Sequence, residues 1–272
     1  MSKVIFICTG NTCRSPMAAA LYCNLCPEAE VTSAGLFADG SEYCKNSILA
    51  LQEMGISLKG NSRMLEKSDL DADRFFVMSP SHEAALLSIG IKQEKITVLN
   101  VSDPFGGDIE VYKKCRNEIA RKLMRETVSI RPMTEEDIPQ VALLESACFS
   151  EPWSEKGLLD SLREGARFWV AVIGSKVLGY MGATTVLDEA YVTNVAVFPQ
   201  YRGYGIGRAL IDTASDFCRN GDFAFLTLEV RESNKRAISL YSSADFRESG
   251  KRKNFYSNPS EDAVLMTKEF KK

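Results

Sequence analysis

The sequence predicts an α/β protein of two domains, the first built on a parallel sheet and the second on a mixed sheet. The length of 272 residues exceeds that of one typical domain. The first half alternates unbroken apolar segments with helical segments, and the second half places three strand-like segments in direct succession. Because the pattern restarts near residue 126, we predict domains at residues 1–126 and 127–272.

Strands of the first half are apolar without alternation, which is typical of strands buried on both faces. The predicted strands, in chain order, are KVIFICT, EVTSAG, DRFFVMS and KITVLNV. The predicted helices are RSPMAAALYCNLC, KNSILALQEMGI, SHEAALLSIGI and IEVYKKCRNEIARKLMRE. This alternation predicts a three-layer domain in which helices cover both faces of a parallel sheet.

The second half opens with TVSIRPMTEEDIPQVALLE, a strand followed by a helix that Thr134 caps. Three successive strands then follow, RFWVAVI, KVLGYMGATTVL and EAYVTNVAVF. After a glycine-rich turn come a helix to about Arg219, the strand FAFLTLEV, the helix KRAISLYSSA and the closing strand AVLMTKEF. This order predicts a mixed, largely antiparallel sheet with helices.

Composition and charge limit the classes of function. The chain is 45% hydrophobic and 25% charged, as ordinary globular proteins are. A net charge of −3 gives no general attraction to nucleic acid or to anionic membranes, so we expect neither as a partner. We find no signal peptide and no segment near the roughly 20 apolar residues that a membrane span needs. We therefore expect a cytoplasmic protein.

The eight cysteines and the single histidine, His82, limit metal binding. In a cytoplasmic protein we expect reduced thiols. A Cys/His metal site is scarcely available with one histidine, so we predict no metal. Cys23 and Cys26 form a C-x-x-C without a second pair, which favours packing over a metal or redox site.

The stretch CTGNTCRS, residues 8–15, joins the first strand to the first helix. Backbone N–H groups of such a turn can surround an anion, and Gly10 and Asn11 tolerate the positive φ that it requires. Arg14 can hold two phosphate oxygens at once. Cys8 in these electropositive surroundings would be held as the thiolate, its nucleophilic form. The spacing Cys-x5-Arg alone is weak evidence for a phosphate site. Its position after the first strand, with Gly-Asn in the turn and Ser-Pro after the arginine, makes a phosphate site the favoured prediction.

A phosphorylated leaving group must receive a proton, and Asp103 in SDPFGG is the candidate acid. Asp103 follows the strand KITVLNV, whose end faces the same sheet edge as the phosphate site. Asp-Pro and Gly-Gly are also common in loops, so a turn is the alternative role for Asp103. Beside a phosphate site we favour the acid.

CTGNTCRSPMA, TSAG, ADRFFVMSPSH and DPFGG, in that order, resemble the low-molecular-weight protein tyrosine phosphatases over residues 1 to about 126. The resemblance implies that Cys8 attacks phosphorus, that Arg14 binds the phosphoryl oxygens and that Asp103 protonates the leaving group and then activates water. It implies that the substrate is bound and the loop shaped by Thr9, Gly10, Asn11, Thr12, Cys13, Ser15 and Ser33. Gly60 stands where the family often has histidine, so one supporting hydrogen bond is in doubt.

Thr12 bears on which phosphate is removed. Members of the family that act on phosphotyrosine usually have an aliphatic residue here, whereas CTGNTCRS with DPFGG is similar to the protein-arginine phosphatases. A hydroxyl at Thr12 can accept a hydrogen bond from a guanidinium, so we favour phosphoarginine, with phosphotyrosine as the alternative. Cys13 either protects Cys8 as a reversible disulfide or packs.

QYRGYGIG, residues 200–207, lies between the strand VTNVAVF and the next helix. Its three alternating glycines allow several backbone N–H groups to face one polyanion, and two arginines add charge. A tight strand–helix connection is the alternative. The pattern Q-x-R-G-x-G-I-G is similar to motif A of the GCN5-related N-acetyltransferases (GNAT). IRPMTEEDIPQVALLE, CFSEPWS, LEVRESNKRAISLY and EDAVLM further resemble the ribosomal-protein alanine N-acetyltransferases over residues 128 to about 270.

This second resemblance implies an acetyl-CoA-dependent enzyme that modifies a protein N-terminus, for instance of a ribosomal protein. The implied acetyl-CoA contacts are Val195, Ala196, Val197, Gly203, Tyr204, Gly205, Ile206, Gly207, Arg208 and Asn234. The implied general base is Glu229 and the implied general acid is Tyr241, since an amine must lose a proton before attack and the departing thiolate must gain one.

Other functions stay open for both domains. The second domain could acetylate another protein or a small amine, or sense acetyl-CoA without transfer. The first domain could bind phosphorylated residues, or act as a redox module, without turnover. The sequence favours a bifunctional enzyme that acts on phosphorylated proteins with one domain and on protein N-termini with the other.

Overall fold

The computed structural model of the protein describes residues 2–270. It separates the chain into two compact units between Thr127 and Val128. The predicted fold class, two α/β domains with a parallel and then a mixed sheet, is confirmed. Of the described helices, none combines the length and the hydropathy that crossing a lipid bilayer takes.

The first unit is a four-stranded parallel sheet of order β2-β1-β3-β4 with helices on both faces. Its strands are β1 (Lys3–Cys8), β2 (Glu30–Gly35), β3 (Arg74–Val77) and β4 (Ile96–Val98). Its helices are α1 (Arg14–Leu25), α2 (Lys45–Gln52), α3 (Pro80–Ser88) and α4 (Ile109–Thr127).

Side chains alternate between the two faces of this sheet, and both faces are buried. On one face, Ile5 and Ile7 pack with Leu86 of α3. On the other, the Phe6 ring stacks on Phe76 with centroids 4.9 Å apart and lies 5.5 Å from the ring of Tyr22 on α1. The unbroken apolar strands of the sequence reflect this burial on both sides.

Helix α2 and strand β4 are among the elements of the first unit that are shorter in the structure than predicted. Helix α2 ends at Gln52 rather than near residue 56, and Gly55 follows with φ +73°. Strand β4 ends at Val98 because Asn100 turns the chain with φ +50°. Both residues occupy the left-handed region, which departs from the regular backbone of a helix or a strand.

The second unit is a seven-stranded sheet of order β10-β11-β9-β8-β7-β6-β5, antiparallel except for the pair β8–β9. Its strands are β5 (Ser129–Pro132), β6 (Arg167–Ile173), β7 (Lys176–Val186), β8 (Glu189–Val197), β9 (Phe225–Arg231), β10 (Arg247–Ser257) and β11 (Ser260–Glu269). Its helices are α5 (Ile138–Cys148), α6 (Glu155–Arg163), α7 (Ile206–Asn220) and α8 (Lys235–Ser243).

Helix α6 and strand β10 were not predicted from the sequence. Strand β10 is a sheet edge whose residues, such as Lys251 and Arg252, are almost all exposed, so it lacks the apolar alternation of a half-buried strand. Helix α6 is short and is capped by Ser154, whose hydroxyl accepts a hydrogen bond from the Gly157 N–H at 3.1 Å.

Candidate active sites

The first site lies at the phosphate loop (residues 8–15), which joins the end of β1 to the start of α1. The Cys8 side chain is buried, and its sulfur accepts a hydrogen bond from the Asn11 backbone N–H at 3.3 Å. The Ser15 hydroxyl lies 3.0 Å from the same sulfur and accepts a hydrogen bond from the Asn11 side-chain amide at 2.9 Å. The Ser15 proton can therefore point at sulfur, so that two donors face the Cys8 side chain.

Asn11 fixes the shape of this loop from inside. It is fully buried, with φ +52°, a conformation that asparagine tolerates better than most residues. Its side-chain nitrogen also donates to the Ser33 hydroxyl at 2.9 Å, and its oxygen accepts from the Arg63 backbone N–H at 3.0 Å. The structure thus brings Asn11, Ser15 and Ser33 into one network behind the sulfur.

The glycine of the TSAG motif allows β2 to approach the phosphate loop closely. A Cβ atom on Gly35 would lie 2.7 Å from the Thr9 carbonyl oxygen and 3.0 Å from the Asn11 nitrogen. No other residue fits this position without moving the loop. The close approach places Ser33, two residues earlier on β2, within reach of Asn11.

Arg14 is held by two partners and keeps one donor for a ligand. Its Nη1 donates to the Val101 carbonyl oxygen at 3.1 Å, and its Nη2 forms an ion pair with Asp103. Its Nε is buried and has no hydrogen-bond partner within residues 2–270. A buried guanidinium N–H without a partner is costly, so it fits the binding of an anion such as a phosphoryl oxygen.

A cavity of about 470 Å³ opens above Cys8 and Arg14. Asp103 lines it with a half-exposed carboxylate, whose Oδ1 accepts from the Phe105 N–H at 3.2 Å. The cavity is also lined by Thr9, Gly10, Thr12, Cys13, Phe37, Asp39, Ser41 and Phe105. A buried sulfur, a guanidinium N–H without a partner among the described residues, and a carboxyl group therefore share one cavity.

Cys13 faces a buried tyrosine. Its sulfur lies 3.3 Å from the Tyr112 hydroxyl and 3.5 Å from the Thr12 hydroxyl, and Cys44 donates to the same Tyr112 oxygen at 3.1 Å. Burial raises the pKa of the Cys13 thiol, which is free in the structure. These contacts favour packing for Cys13 over protection of Cys8.

The second site begins where β8 and β9 separate. The two strands pair only over residues 189–191 and 225–227. Val195, Ala196 and Val197 lie beyond that paired section, so in the described chain their edge toward β9 lacks a strand partner. An open strand edge offers backbone N–H and C=O groups to an extended ligand.

The glycine turn (residues 203–208) follows β8 and opens α7. Gly203 and Gly205 have φ of +91° and +89°, which glycine alone adopts freely. The N–H groups at the start of α7, which begins at Ile206, have no helical partner and favour an anion. Tyr204 is fully buried and anchors the turn.

Arg202, just before this turn, and Arg208, at its end, form hydrogen bonds within the domain. Arg208 Nε donates to Asp212 at 2.9 Å and its Nη1 donates to the Ser243 carbonyl oxygen at 2.6 Å. Arg202 Nε donates to the Val197 carbonyl oxygen at 3.1 Å. The turn therefore fits a diphosphate mainly through its backbone N–H groups.

Glu229 and Tyr241 lie on β9 and α8. Glu229 is on the part of β9 beyond the pairing with β8, and its Oε1 lies 3.2 Å from Arg252 Nη1. Burial raises the pKa of the Tyr241 hydroxyl, so it is protonated at neutral pH, as a general acid must be. Asn234 caps α8 by accepting a hydrogen bond from the Ala237 N–H at 3.1 Å.

Comparison with known proteins covers both halves of the chain. The model of the low molecular weight phosphotyrosine protein phosphatases matches residues 3–131, and that of the acetyltransferase (GNAT) family matches residues 138–246. A protein-arginine-phosphatase of Geobacillus stearothermophilus is 42% identical over 130 residues, which are 43% of this chain and 88% of that protein. A low molecular weight protein-tyrosine-phosphatase of Staphylococcus epidermidis is 32% identical over 126 residues, 43% of this chain and 91% of its own.

The second half resembles a solved acetyltransferase. The crystal structure of the ribosomal-protein-S18-alanine N-acetyltransferase from Escherichia coli is 33% identical, with a TM-score of 0.50, and the match covers 53% of this chain and 95% of that one. The chain belongs to both families. It is a fusion of a low molecular weight phosphatase domain and a GNAT N-acetyltransferase domain, and the predicted pairing of enzyme classes is confirmed.

In the phosphatase domain, His82 contacts the phosphate loop, which the sequence did not predict. Its Nε2 lies 3.0 Å from the Thr9 hydroxyl and its Nδ1 lies 2.7 Å from the Ser79 hydroxyl. Burial and the nearby Arg14 cation lower the pKa of His82, so the imidazole is neutral. The available signal was its place in ADRFFVMSPSH, directly after β3.

In the acetyltransferase domain, Glu145 is a fully buried carboxylate that was also not predicted. Its Oε1 accepts from the Asn194 amide at 2.7 Å and from the Tyr180 hydroxyl, and its Oε2 accepts from the Trp153 N–H at 3.0 Å. It ties the segment between α5 and α6 to β7 and β8. Within residues 2–270, no group of three or more His, Cys, Asp or Glu side chains is placed to hold a metal ion.

Proposed function

We propose that the phosphatase domain hydrolyses phosphoarginine in proteins through a covalent phosphate on Cys8. The observation that supports this most is the shared cavity, which joins a buried sulfur with two donors, an Arg14 N–H without a protein partner, and the Asp103 carboxyl group. These are the three functions that phosphoryl transfer to a thiolate requires.

In the first step, the Cys8 thiolate forms the S–P bond while the P–N bond of phosphoarginine breaks and Asp103 gives its proton to the leaving nitrogen. Arg14 and the loop N–H groups bind the three phosphoryl oxygens. Because Arg14 Nη2 is paired with Asp103, we expect the phosphoryl group to take over this donor and free the acid. In the second step, Asp103 accepts a proton from water, whose oxygen attacks phosphorus and releases phosphate and the thiolate.

Thr12 supports phosphoarginine over phosphotyrosine. It lines the cavity, and its hydroxyl can accept a hydrogen bond from a guanidinium N–H. One relative of this domain is named for arginine and another for tyrosine. Phosphotyrosine is the second candidate, because the exposed rings of Phe37 and Phe105 could flank a phenol ring as well.

The test compares phosphoarginine, phosphotyrosine and phosphoserine peptides of one sequence with the full chain, measured as kcat/KM for phosphate release. We expect phosphoarginine to be hydrolysed fastest, and Thr12→Ile to lower that preference while Thr12→Ser keeps it. Equal turnover of phosphoarginine and phosphotyrosine, unchanged in Thr12→Ile, would contradict the proposal.

We propose that the acetyltransferase domain acetylates a protein N-terminal α-amine, that of an alanine in a ribosomal protein being the first candidate. Acetyl-CoA as co-substrate would supply the acyl group as a reactive thioester. The open edge at residues 195–197 and the glycine turn support its binding. Asn234 at the start of α8 is a further contact that we propose.

Glu229 would accept a proton from the attacking α-amine, and Tyr241 would give its hydroxyl proton to the departing sulfur. Burial raises the pKa of Tyr241, so its hydroxyl carries the proton that this step requires. Arg252, paired with Glu229, keeps the base in place near the separated part of β9.

The test measures acetylation of peptides that begin with Ala, Ser or Met, with an N-terminally blocked Ala peptide containing lysine as control. We expect the free Ala terminus to be modified and the blocked peptide to remain unmodified. Glu229→Gln should lose transfer and keep acetyl-CoA binding by calorimetry. Acetyl-CoA binding without transfer to any peptide would instead favour sensing.

A further inference from the structure

Asp39 lines the Cys8 cavity but has no part in the chemistry proposed above. It lies in the loop after β2. Its Oδ1 accepts three hydrogen bonds, from the Ser41 N–H at 3.0 Å, the Ser41 hydroxyl at 2.6 Å and the Ser62 hydroxyl at 3.4 Å. Among the other described residues, none donates a hydrogen bond to its Oδ2. The carboxylate is thus held by one oxygen, and the other remains for a ligand.

The charge of Asp39 is unexpected beside a phosphate site. Arg14 is the one cationic residue among the described residues that line the cavity, and it is already paired with Asp103. The hydrogen bonds from Ser41 lower the pKa of Asp39, so it is ionised at neutral pH. An incoming phosphoryl dianion therefore meets a second carboxylate, which repels it unless the substrate also brings a positive charge.

The aromatic rings at the cavity do not distinguish between substrates. Phe37 and Phe105 are each 78% exposed, and either ring can stack on a phenol or on a guanidinium. A carboxylate, in contrast, attracts a guanidinium and offers nothing to a phenol ester. The planar N–H groups of a guanidinium also match a carboxylate oxygen in geometry.

We propose that Asp39 is a specificity determinant of the phosphatase domain, which accepts a hydrogen bond from a cationic group beside the phosphoryl group. This inference rests on the phosphatase function proposed above. The cation has two sources, the guanidinium of phosphoarginine itself or a basic residue next to the phosphorylated one. In both cases Asp39 lowers the rate for phosphorylated residues without a neighbouring positive charge.

Four matched peptides test the inference with the full chain, carrying phosphoarginine or phosphotyrosine flanked by alanine or by arginine. We expect Asp39→Asn to lower kcat/KM roughly tenfold for cationic substrates, as the loss of a charged hydrogen bond does. Kinetic constants for alanine-flanked phosphotyrosine should stay equal or rise. Asp39→Lys should enlarge both changes, and higher ionic strength should reduce them. Glu94→Gln, an exposed carboxylate of the same domain, is the control.

The pattern of loss identifies the cation. A loss on both phosphoarginine peptides supports the guanidinium, and a loss on both arginine-flanked peptides supports the neighbouring residue. An equal loss on all four peptides, or none, overturns the inference. The proposed substrate is tested separately by the unsubstituted chain, since a wild-type preference for phosphotyrosine would refute phosphoarginine while the arginine-flanked pair still tests Asp39. Circular dichroism confirms that each variant is folded.

Discussion

The phosphate loop and the glycine turn each lie at the junction of a strand and a helix, where we propose that both bind phosphate. Both use left-handed backbone, at Asn11 in the first and at Gly203 and Gly205 in the second. The phosphate loop is built from buried side chains, with Asn11 bonded to Ser15 and Ser33. The glycine turn depends on backbone N–H groups.

The difference follows from where the chemistry takes place. In the mechanism that we propose for the phosphate loop, the bound phosphate itself reacts, so the attacking sulfur and its donors need fixed side-chain positions. In the glycine turn the phosphate would only hold the ligand, while Glu229 and Tyr241 lie on other elements. Backbone N–H groups are enough to bind a phosphate, whereas a reaction at the phosphate also requires side chains in fixed positions.

Cys8→Ser gives the largest expected effect, because it removes the reacting group itself. Phosphatase kcat should fall on the order of 10⁴-fold or more, as for the loss of other enzymatic nucleophiles. Acetyl transfer by the same chain should stay unchanged. Phosphate release and acetyl transfer are measured in parallel, with Cys23→Ser, an exposed cysteine of α1, as control. Retained hydrolysis in Cys8→Ser would exclude a covalent phosphate on this residue.

Tyr241→Phe separates chemistry from binding in the acetyltransferase domain. Loss of a general acid lowers kcat by about 10²–10⁴-fold. The dissociation constant of acetyl-CoA should change little, because the glycine turn is intact. Pre-steady-state rates and calorimetry measure the two quantities, with Tyr191→Phe on β8 as control. Unchanged kcat would remove the acid role of Tyr241.

Asn11→Ala tests whether the phosphate loop needs its buried side chain. The change removes three side-chain hydrogen bonds and disfavours φ +52°, so we expect kcat to fall on the order of 10²-fold through displacement of the loop. Asn11→Gly restores the backbone freedom alone and should recover only part of the rate. If Asn11→Gly equals the wild type in phosphate release, the side-chain network has no catalytic importance.

Gly205→Ala tests whether acetyl-CoA binding depends on the left-handed backbone of the glycine turn. Forcing alanine toward φ +89° costs about 1–2 kcal/mol, so the affinity for acetyl-CoA should fall roughly tenfold with kcat preserved at saturation. Gly165→Ala carries a similar strain at φ +100° in open space, far along the chain from the turn, and should leave the dissociation constant unchanged. Equal affinity in both variants would argue against diphosphate binding at this turn.

The smallest expected effect concerns a feature that both domains share. Arg131 donates to both oxygens of Asp137 at 2.7 and 2.8 Å and lowers the pKa of that carboxyl. At Asp69, burial is the largest effect and opposes ionisation, but the hydrogen bonds from Arg63 and the Glu66 N–H, with the nearby positive charges of Arg63 and Lys3, together lower the pKa. A lowered folded-state pKa gives stability that is present above the unfolded value of about 4 and is lost as the pH falls through the folded value.

Asp137→Asn should therefore reduce the free energy of unfolding at pH 7 by on the order of 1 kcal/mol, which appears as a lower melting temperature. The melting temperatures of the variant and the wild type should converge near pH 2. Thermal unfolding across this pH range measures it. Asp216→Asn, in an exposed pair, should have no such dependence. A constant difference at every pH would mean that the charge of Asp137 is not what stabilises the domain.

Local sequence predicted the phosphate loop because its function depends on adjacent residues. CTGNTCRS contains Cys8, the turn and Arg14 within one strand–helix junction, and in the structure Cys8 and Arg14 line one cavity. Strand β10 was not predicted, because an exposed edge strand has no alternation of apolar and polar residues. The contact of His82 with the phosphate loop was not predicted, because a single histidine forms no spaced motif. Its partner Thr9 also lies 73 positions away in the chain.

The sequence by itself determined the two sheets, the two strand–helix turns that we propose bind phosphate, and the classes of the two enzymes, because each depends on periodicity or on short contiguous motifs. Only the tertiary structure decided that Glu145 ties α5 to β7 and β8, that Gly35 lets β2 approach the loop, and that Asp39 reaches the Cys8 cavity. These depend on distances between residues that are remote in the chain, and such distances are set by the packing of the sheet and its helices.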